Sequence, residues 1–207
     1  MVAIATQLPK QASEKKVPDY LVKDEIDGIR FYYKDYKYVM RSKDEAKEVH
    51  GSTAIQSFIA SYFAALFFDN QLNEIYHFFT GKSRNRIDKN TILEFDIAFY
   101  DKNTILNIVK NNLPIENIAP NIVVEFDSQI SLDGTEFEDT TTYYFTKTKK
   151  LIAYGTQKVI WVFTASQKIL VAEGKDWHIY DFDKTIQLID NVEFNIADFL
   201  QKEQIVL

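Results

Sequence analysis

The stretch Pro120-Asn121-Ile122-Val123-Val124-Glu125-Phe126 decides how the rest of the chain is organised. It holds a short apolar run, rich in β-branched residues, that follows a proline and contains a single carboxylate. Such a run is typical of a strand that is buried on both faces of a sheet. Sheets of this kind are covered by helices on both sides. We therefore expect an α/β protein with residues 122–126 deep in its sheet.

The chain that follows this strand predicts a β-α-β unit. Tyr143 to Gly155 is predicted to be a helix, because Gly155 is a typical helix end and Lys147, Lys149 and Lys150 share its open side. A helix between two buried strands implies that the strands are parallel or nearly so. The later segments predict a C-terminal antiparallel meander and a closing helix. They are the strands 159–163, 168–172, 177–180 and 185–188 and the helix 196–202, with Asn195 as a cap.

The chain that precedes this strand predicts one long helix and two strand pairs. Ser52 to Phe68 repeats apolar residues at helical spacing, and Ser52 or Thr53 can cap it. The predicted strand pairs are 29–33 with 36–40, around a turn at residues 34–35, and 74–79 with 91–100. A basic turn is predicted between the second pair, containing Lys82, Arg84, Arg86 and Lys89.

Length and composition predict one globular domain. The chain has 207 residues, of which 46% are hydrophobic and 26% charged. We assign residues 18–207 to that domain and residues 1–17 to a flexible N-terminal tail. The sequence contains neither a membrane span nor a signal-peptide pattern, so we expect a cytoplasmic protein.

Composition also limits the chemistry of a metal site. The chain has no cysteine and three histidines, which excludes disulfides and cysteine-based zinc sites and disfavours a histidine-rich site. A metal would therefore take oxygen ligands, as Mg²⁺ or Mn²⁺ does. The net charge of −6 argues against binding to nucleic acid that is driven by overall charge.

Three polar residues in apolar surroundings are candidates for catalysis. Asp96 and Glu125 each interrupt a strand-like apolar run, and Lys147 lies on the helix that follows Glu125. Two carboxylates can hold a divalent ion that activates water against a phosphodiester, and a lysine can stabilise the developing charge. Each of the three residues also has a non-catalytic interpretation. An acidic residue in a strand is more often solvated or salt-bridged than catalytic. Lys147 is close to two other lysines, which is typical of a solvent-exposed face of a helix.

Several blocks of the chain resemble one family. They are the residues 120–125, Lys147 with Gly155 and 159–162, the strand around Asp96, the segment 194–200 and Glu25-Ile26-Asp27-Gly28. Together they resemble the Uma-two restriction endonuclease family, abundant in cyanobacteria, which has the PD-(D/E)XK nuclease fold. The resemblance spans residue 18 to about residue 200. It implies a restriction-endonuclease-like core, a mixed sheet flanked by helices.

The resemblance also implies roles for particular residues. Asp96 and Glu125 would be metal ligands and Lys147 the catalytic lysine, displaced from the strand to the helix. Asp127 stands where the standard motif has a lysine. Glu48 would be an outer-shell metal ligand, and Gln56 would contact substrate. The resemblance makes a homodimer plausible as well.

Three functions are compatible with these observations. The leading hypothesis is an Mg²⁺-dependent endonuclease that hydrolyses DNA, with the carboxylates of Asp96 and Glu125 close enough to share an ion. The alternatives are an inactive nuclease-fold protein that serves in binding or assembly, and an RNA-acting nuclease. The basic turn containing Lys82, Arg84, Arg86 and Lys89 would contact phosphates, or it is only a soluble hairpin tip. An acyl hydrolase is disfavoured because the chain has no Gly-x-Ser-x-Gly elbow.

Overall fold

The computed structural model describes residues 16–41, 53–113, 115, 118–127 and 130–207, with the side chains of residues 82 and 83 excepted. The strands are β1 (Val22–Ile26), β2 (Ile29–Tyr33), β3 (Tyr76–Asp88), β4 (Thr91–Asp101), β5 (Ile122–Phe126), β6 (Ile130–Ser131), β7 (Lys158–Phe163), β8 (Lys168–Glu173), β9 (Asp176–Asp181), β10 (Ile186–Ile189) and β11 (Val192–Phe194). The α-helices are α1 (Tyr36–Arg41), α2 (Ala54–Asp69), α3 (Lys102–Lys110), α4 (Thr140–Tyr154) and α5 (Ile196–Lys202).

The described strands form one large mixed sheet and a small hairpin. The sheet runs in the order β6-β2-β1-β4-β5-β7-β8-β9, and β3 pairs with β4 outside this path. Strands β5 and β7 are parallel over five residue pairs, and the other pairs of the sheet are antiparallel. The β-α-β unit predicted from the sequence is therefore confirmed, with α4 as its crossover helix.

Strand β5 is covered on both faces, as its composition predicts. Val124 faces a core that includes Ile59, Phe63 and Phe67 of α2. Val123 faces a second core that includes Tyr143 and Leu151 of α4. All five residues of β5 are buried, so an α/β architecture with a mixed sheet between helices is confirmed. No helix in the described part of the chain is long and apolar enough to cross a membrane.

The first strand pair differs from the prediction. Residues 36–40 belong to helix α1, and the hairpin is instead formed by β1 and β2. Its turn is Asp27-Gly28, where both residues have positive φ angles, 52° and 82°. Asp-Gly is the dipeptide that favours such a two-residue hairpin turn. The sequence therefore contains the correct turn signal, seven residues before the predicted turn at residues 34–35.

The predicted basic turn is mostly strand. β3 continues through it to Asp88, so Lys82, Arg84 and Arg86 lie in an extended arm paired with β4. Only Lys89 and Asn90 remain as the turn. A bulge between Thr80 and Ser83 lets this long strand keep its pairing.

The C-terminal part follows the prediction up to β9. Strands β7, β8 and β9 form an antiparallel meander. Strand β10 leaves it and pairs with β11, because Ile186 and Leu188 pack into the core on the α2 face of the sheet. Helix α5 covers the predicted range, and the Asn195 side chain caps it by accepting from the Asp198 N–H group at 3.0 Å.

The sheet divides next to β4, and this division positions the candidate site. β3 pairs along nearly the whole length of β4 and therefore occupies one of its two edges. On the other edge, β5 pairs with residues 97–99 and β1 with Ile92. Between these contacts, residues 93–96 face a gap where β1 and β5 separate. We call this gap the sheet fork.

Candidate active site at the sheet fork

Charged side chains fill the sheet fork. Two lysines and four carboxylates from four elements meet there, and we call them the fork cluster: Lys23, Asp24, Glu94, Asp96, Glu125 and Lys147. Five of the six residues are at most 4% exposed. Such a dense group of buried charges is rare, because each buried charge loses its hydration and needs a partner that compensates for this loss.

Two charged side chains replace the missing strand partner of β4. The Glu94 N–H group donates to Asp24 Oδ1 at 2.7 Å, and the Glu94 carbonyl accepts from Lys147 Nζ at 2.7 Å. Both backbone groups of Glu94 are thereby satisfied where the ladder is interrupted. Buried backbone groups need such partners, so the charges at the fork also hold the sheet together.

Lys147 is the centre of the cluster. Its Nζ lies 3.0 Å from Glu125 Oε1 and 3.1 Å from Asp24 Oδ2, and its side chain is fully buried. Burial opposes its charge, but Asp24 and Glu125 outweigh that effect and raise the pKa of Lys147. Tyr143 lies one turn earlier on the same face of α4 and donates its hydroxyl proton to Asp24 Oδ2. Helix α4 therefore delivers both groups to the fork.

Asp96 and Glu125 lie side by side, one residue beyond the last pair of the β4–β5 ladder. The Phe126 N–H group donates to Asp96 Oδ2 at 3.0 Å, so the Asp96 side chain spans the gap between the strands. The Glu125 side chain is one of the neighbouring groups that lower the pKa of Asp96. The structure thus places Asp96, Glu125 and Lys147 in one cluster, and their catalytic roles stay a prediction.

The pKa values of the two carboxyl groups are shifted in opposite directions. Burial works against the charge on Asp96, but Lys23 and the Phe126 N–H group outweigh it and lower the pKa of Asp96. Burial raises the pKa of Glu125 well above its ordinary value, even with Lys147 beside it. Neighbouring carboxyl groups with separated pKa values are a common feature of catalytic sites.

Access to the cluster is through Asp96. Its side chain is 25% exposed and lines a cavity of about 430 Å³, together with Glu94 and Phe126. The opposite wall is a face of α2 with small side chains: Ser57, Ala60, Ser61 and Ala64. This cavity is large enough to admit part of a ligand, although Glu125 and Lys147 lie behind its surface.

The residues present fit an ion with few protein ligands. Asp96 and Glu125 supply adjacent carboxylates, and Glu125 Oε2 is buried without a hydrogen-bond partner in the described chain. No group of three or more Asp, Glu or His side chains with metal-binding geometry occurs among the described residues. Mg²⁺ is commonly held by one or two carboxylates while it keeps several waters, so two carboxylates are compatible with it.

The structure gives Gln56 and Asp127 a shared structural role. The Gln56 side-chain amide donates to the Asp127 carbonyl at 3.1 Å and to its Oδ1 at 2.7 Å. Gln56 also completes the capping box of α2 with Thr53. Asp127 Oδ1 further accepts from the Thr164 hydroxyl at 2.9 Å. The donors of Gln56 are therefore already occupied, and its contact with a substrate stays a prediction.

The remaining predicted residues lie away from the cluster or outside the described chain. Glu48 lies outside the described residues. Arg84 donates to the Asp19 carbonyl at 3.5 Å, and Arg86 donates to the Lys89 carbonyl at 3.2 Å. With Lys82, these residues line the β3 arm and its turn. Their contact with phosphates also stays a prediction.

Sequence reasoning missed half of the cluster. Glu94 could have been found, because it lies two residues before Asp96 and strand side chains repeat every two residues. Lys23 and Asp24 are consecutive and should point to opposite faces of β1. A bulge between Val22 and Asp24 turns both towards the fork. Tyr33, which donates to Glu94 Oε1 at 2.6 Å, carries no signal in the sequence.

Comparison with known proteins identifies a shared fold. No protein-family profile matches the sequence, and no curated protein matches it significantly. Among solved structures, the chain is similar to the crystal structure of "a putative nuclease belonging to DUF820" from Anabaena variabilis ATCC 29413. The TM-score is 0.58 at 17% sequence identity, and the match covers 88% of this chain and 91% of that chain. A likeness at this level of identity establishes the fold.

Proposed function

We propose that this protein is a metal-dependent nuclease that hydrolyses phosphodiester bonds in DNA, with Mg²⁺ or Mn²⁺ as its cofactor. The observation that carries the proposal is the fork cluster, where Asp96 and Glu125 lie side by side and Asp96 opens into a cavity. The fold supports it, because the similar solved structure is described as that of "a putative nuclease". Fold alone does not imply function, so the argument rests on the cluster.

The charge balance of the cluster favours a divalent cation. Four carboxylates face two ammonium groups, so two negative charges lack a cationic partner when all six groups are ionised. The raised pKa values of Glu94 and Glu125 are a result of this burial and crowding. A divalent cation beside Asp96 and Glu125 would supply the two missing charges. Buried carboxylates of this kind are usually paired or bound to a metal.

Each residue has a role in this proposal. Asp96 and Glu125 would hold the ion, which when bound neutralises phosphoryl oxygens and acidifies a water molecule. Lys147 fixes Glu125 and Asp24 by ion pairs of 3.0 and 3.1 Å. Tyr33 and Tyr143 fix Glu94 and Asp24 by hydrogen bonds.

DNA is proposed to bind through local charge. The net charge of −6 disfavours strong binding that depends on overall charge. The basic residues of the β3 arm are the candidates for phosphate contacts: Lys82, Arg84, Arg86 and Lys89.

Cleavage of both strands would be helped by two copies of the chain, and light scattering tests whether a homodimer forms.

Plasmid cleavage with matched variants tests the proposal. We expect the wild type to nick or linearise supercoiled DNA with Mg²⁺ or Mn²⁺ and to stop when EDTA is added. Asp96→Asn and Glu125→Gln should each lower the rate at least about 100-fold, the scale of losing one group that stabilises the transition state. Asp183→Asn is the control, because it removes the same charge from a side chain that is 66% exposed.

Calorimetry on the same variants separates loss of the ion from loss of chemistry. Mg²⁺ should bind the wild type and Asp183→Asn, and it should bind Asp96→Asn more weakly.

Parallel assays with single-stranded RNA decide between DNA and RNA as the substrate. A wild type that binds no metal and cuts neither nucleic acid would overturn the proposal.

One observation favours a second candidate function, binding or assembly without cleavage. Glu125 and Lys147 are fully buried, and Asp127 occupies the position of the usual motif lysine while bonded to Gln56. A cluster of this kind could serve only to hold the fork together. Retention of DNA by the wild type in a gel-shift assay, without cleavage under any metal condition, is the result that this candidate predicts.

A further inference from the structure

The two lysines of the fork cluster differ in how many of their N–H groups are already used. Lys147 Nζ has three oxygens around it, at 2.7 Å (Glu94 carbonyl), 3.0 Å (Glu125) and 3.1 Å (Asp24). A lysine ammonium has three N–H donors. The Lys147 ammonium is therefore surrounded by three oxygens of the protein, one of them hydrogen-bonded, and its side chain has no exposed surface.

Lys23 is held much more loosely. Its Nζ lies 3.5 Å from Asp96 Oδ1, and no other carboxylate oxygen of the described chain forms a salt bridge with it. Within the described residues, this contact uses at most one of the three N–H donors of Lys23. Asp96 in turn lines the cavity, whereas Lys23 itself does not.

We propose that Lys23, and not Lys147, is the lysine that contacts the phosphate of the substrate. This inference rests on the proposed function and deepens it. Lys23 lies directly behind Asp96 and is 3% exposed, so a phosphoryl oxygen that binds beside Asp96 would meet Lys23 once the Asp96 side chain turns towards a bound ion. Lys147 is then a positioning residue, which acts through Glu125 and Asp24. A preorganised cation in a site shielded from water stabilises negative charge more strongly than one in solvent.

Binding of a phosphodiester without metal tests this assignment independently of cleavage. The probe is a dinucleotide with a phosphorothioate linkage, added in EDTA to the full chain carrying ¹³C-labelled lysine. The Lys23 and Lys147 side-chain signals are identified by their disappearance in Lys23→Arg and Lys147→Arg. We expect the Lys23 signal to shift on titration and the Lys147 signal to stay in place. A shift of Lys147 without Lys23, or of neither, overturns the assignment.

Cleavage by matched variants is the second test. Lys23→Met should lower kcat/KM about 100-fold, as expected when one group that contacts the transition state is lost. Lys23→Arg should recover part of that loss, because the charge is kept. Lys150→Met is the control, since Lys150 lies on α4 but forms ion pairs with Asp27 and Asp88 at the surface. Circular dichroism confirms that each variant is folded.

The two tests distinguish failure of this inference from failure of the proposed function. If the wild type cleaves DNA and Lys23→Met cleaves at the same rate, the assignment of Lys23 is wrong and the nuclease stands. If the Lys23 signal responds to the dinucleotide and the wild type never cleaves, Lys23 is a phosphate contact in a protein that is not a nuclease.

Discussion

The β5–β7 ladder and the sheet fork are neighbouring regions of one sheet that are built in opposite ways. β5 and β7 are paired over five consecutive residues, and the side chains of Val123, Val124, Ile160 and Trp161 are completely buried. At the fork, residues 93–96 of β4 have no strand on the edge that faces β1 and β5, as far as the described chain extends. Asp24 and Lys147 satisfy the backbone of Glu94 instead.

The two regions differ in how they obtain their stability. Apolar burial along β5 and β7 stabilises the fold without leaving a charge unhydrated. At the fork, charged side chains hold the strands together instead. The cost of desolvating these charges offsets most of their mutual attraction. A well-packed apolar fork would be at least as stable. Under the proposed function, the charges are present at this position because the ion and the substrate require them.

Removal of Lys147 should have the largest effect on stability. Lys147→Met leaves Asp24 and Glu125 buried without their cation, and we expect the free energy of unfolding to fall by about 3–5 kcal/mol. Urea denaturation measures it. Lys168→Met is the matched control, because its ion pair with Asp181 is exposed and should contribute under about 1 kcal/mol. Equal effects of the two changes would mean that the fork is as well solvated as the surface.

The pH dependence of stability should single out Glu125. Because burial raises its pKa in the folded chain above the ordinary 4.5, folding favours the protonated form. This contribution is complete below pH 4.5 and is lost as the pH rises through the folded-state pKa. In EDTA, the free energy of unfolding should fall with rising pH by up to about 1.4 kcal/mol per pH unit. Glu125→Gln should remove that slope, and an unchanged slope would assign it to another group.

Loss of one hydroxyl group should have an intermediate effect. Tyr143→Phe removes the proton that Asp24 accepts inside the cluster, and we expect a loss of about 1–3 kcal/mol. Tyr20→Phe removes a hydroxyl from a residue that is 68% exposed and should be nearly neutral. Equal urea midpoints for the two variants would contradict a stabilising role of the Tyr143 hydroxyl group.

A core substitution in the β5–β7 ladder should have the smallest effect and leave the site intact. Ile160→Val removes one buried methylene group, which should lower stability by about 0.5–1.5 kcal/mol. We expect Mg²⁺ affinity by calorimetry to match that of the wild type. A large change in affinity would show that the ladder and the fork are energetically coupled.

The parts of the fold that the sequence predicts are those with strong local signals. The unit of β5, α4 and β7 follows from a buried strand, a helix that ends at Gly155 and the handedness of crossovers. Helices α2 and α5 follow from spacing and caps. The error at residues 36–40 arose because alternating aromatics were interpreted as a strand, while the Asp-Gly turn at residues 27–28 was overlooked.

The candidate site is only partly predictable because it is assembled over long distances. Asp96, Glu125 and Lys147 stand out, since each is polar within an apolar or helical pattern. Asp24 and Glu94 are in contact although they are 70 residues apart in the sequence, and Lys147 and Glu94 are 53 residues apart. No local sequence pattern encodes such contacts. The bulge in β1 also breaks the two-residue repeat that would have separated Lys23 from Asp24.

The order in which the chain is synthesised has a consequence for the fork. β1 leaves the ribosome early, β4 follows, and α4 emerges more than a hundred residues after β1. Long loops must close before Lys147 reaches Glu94, so the fork forms after the local hairpins. A nascent or truncated chain that ends before α4 has its carboxylates but no Lys147 to hold them. Whatever chemistry the cluster performs, the topology delays its assembly until α4 has been synthesised.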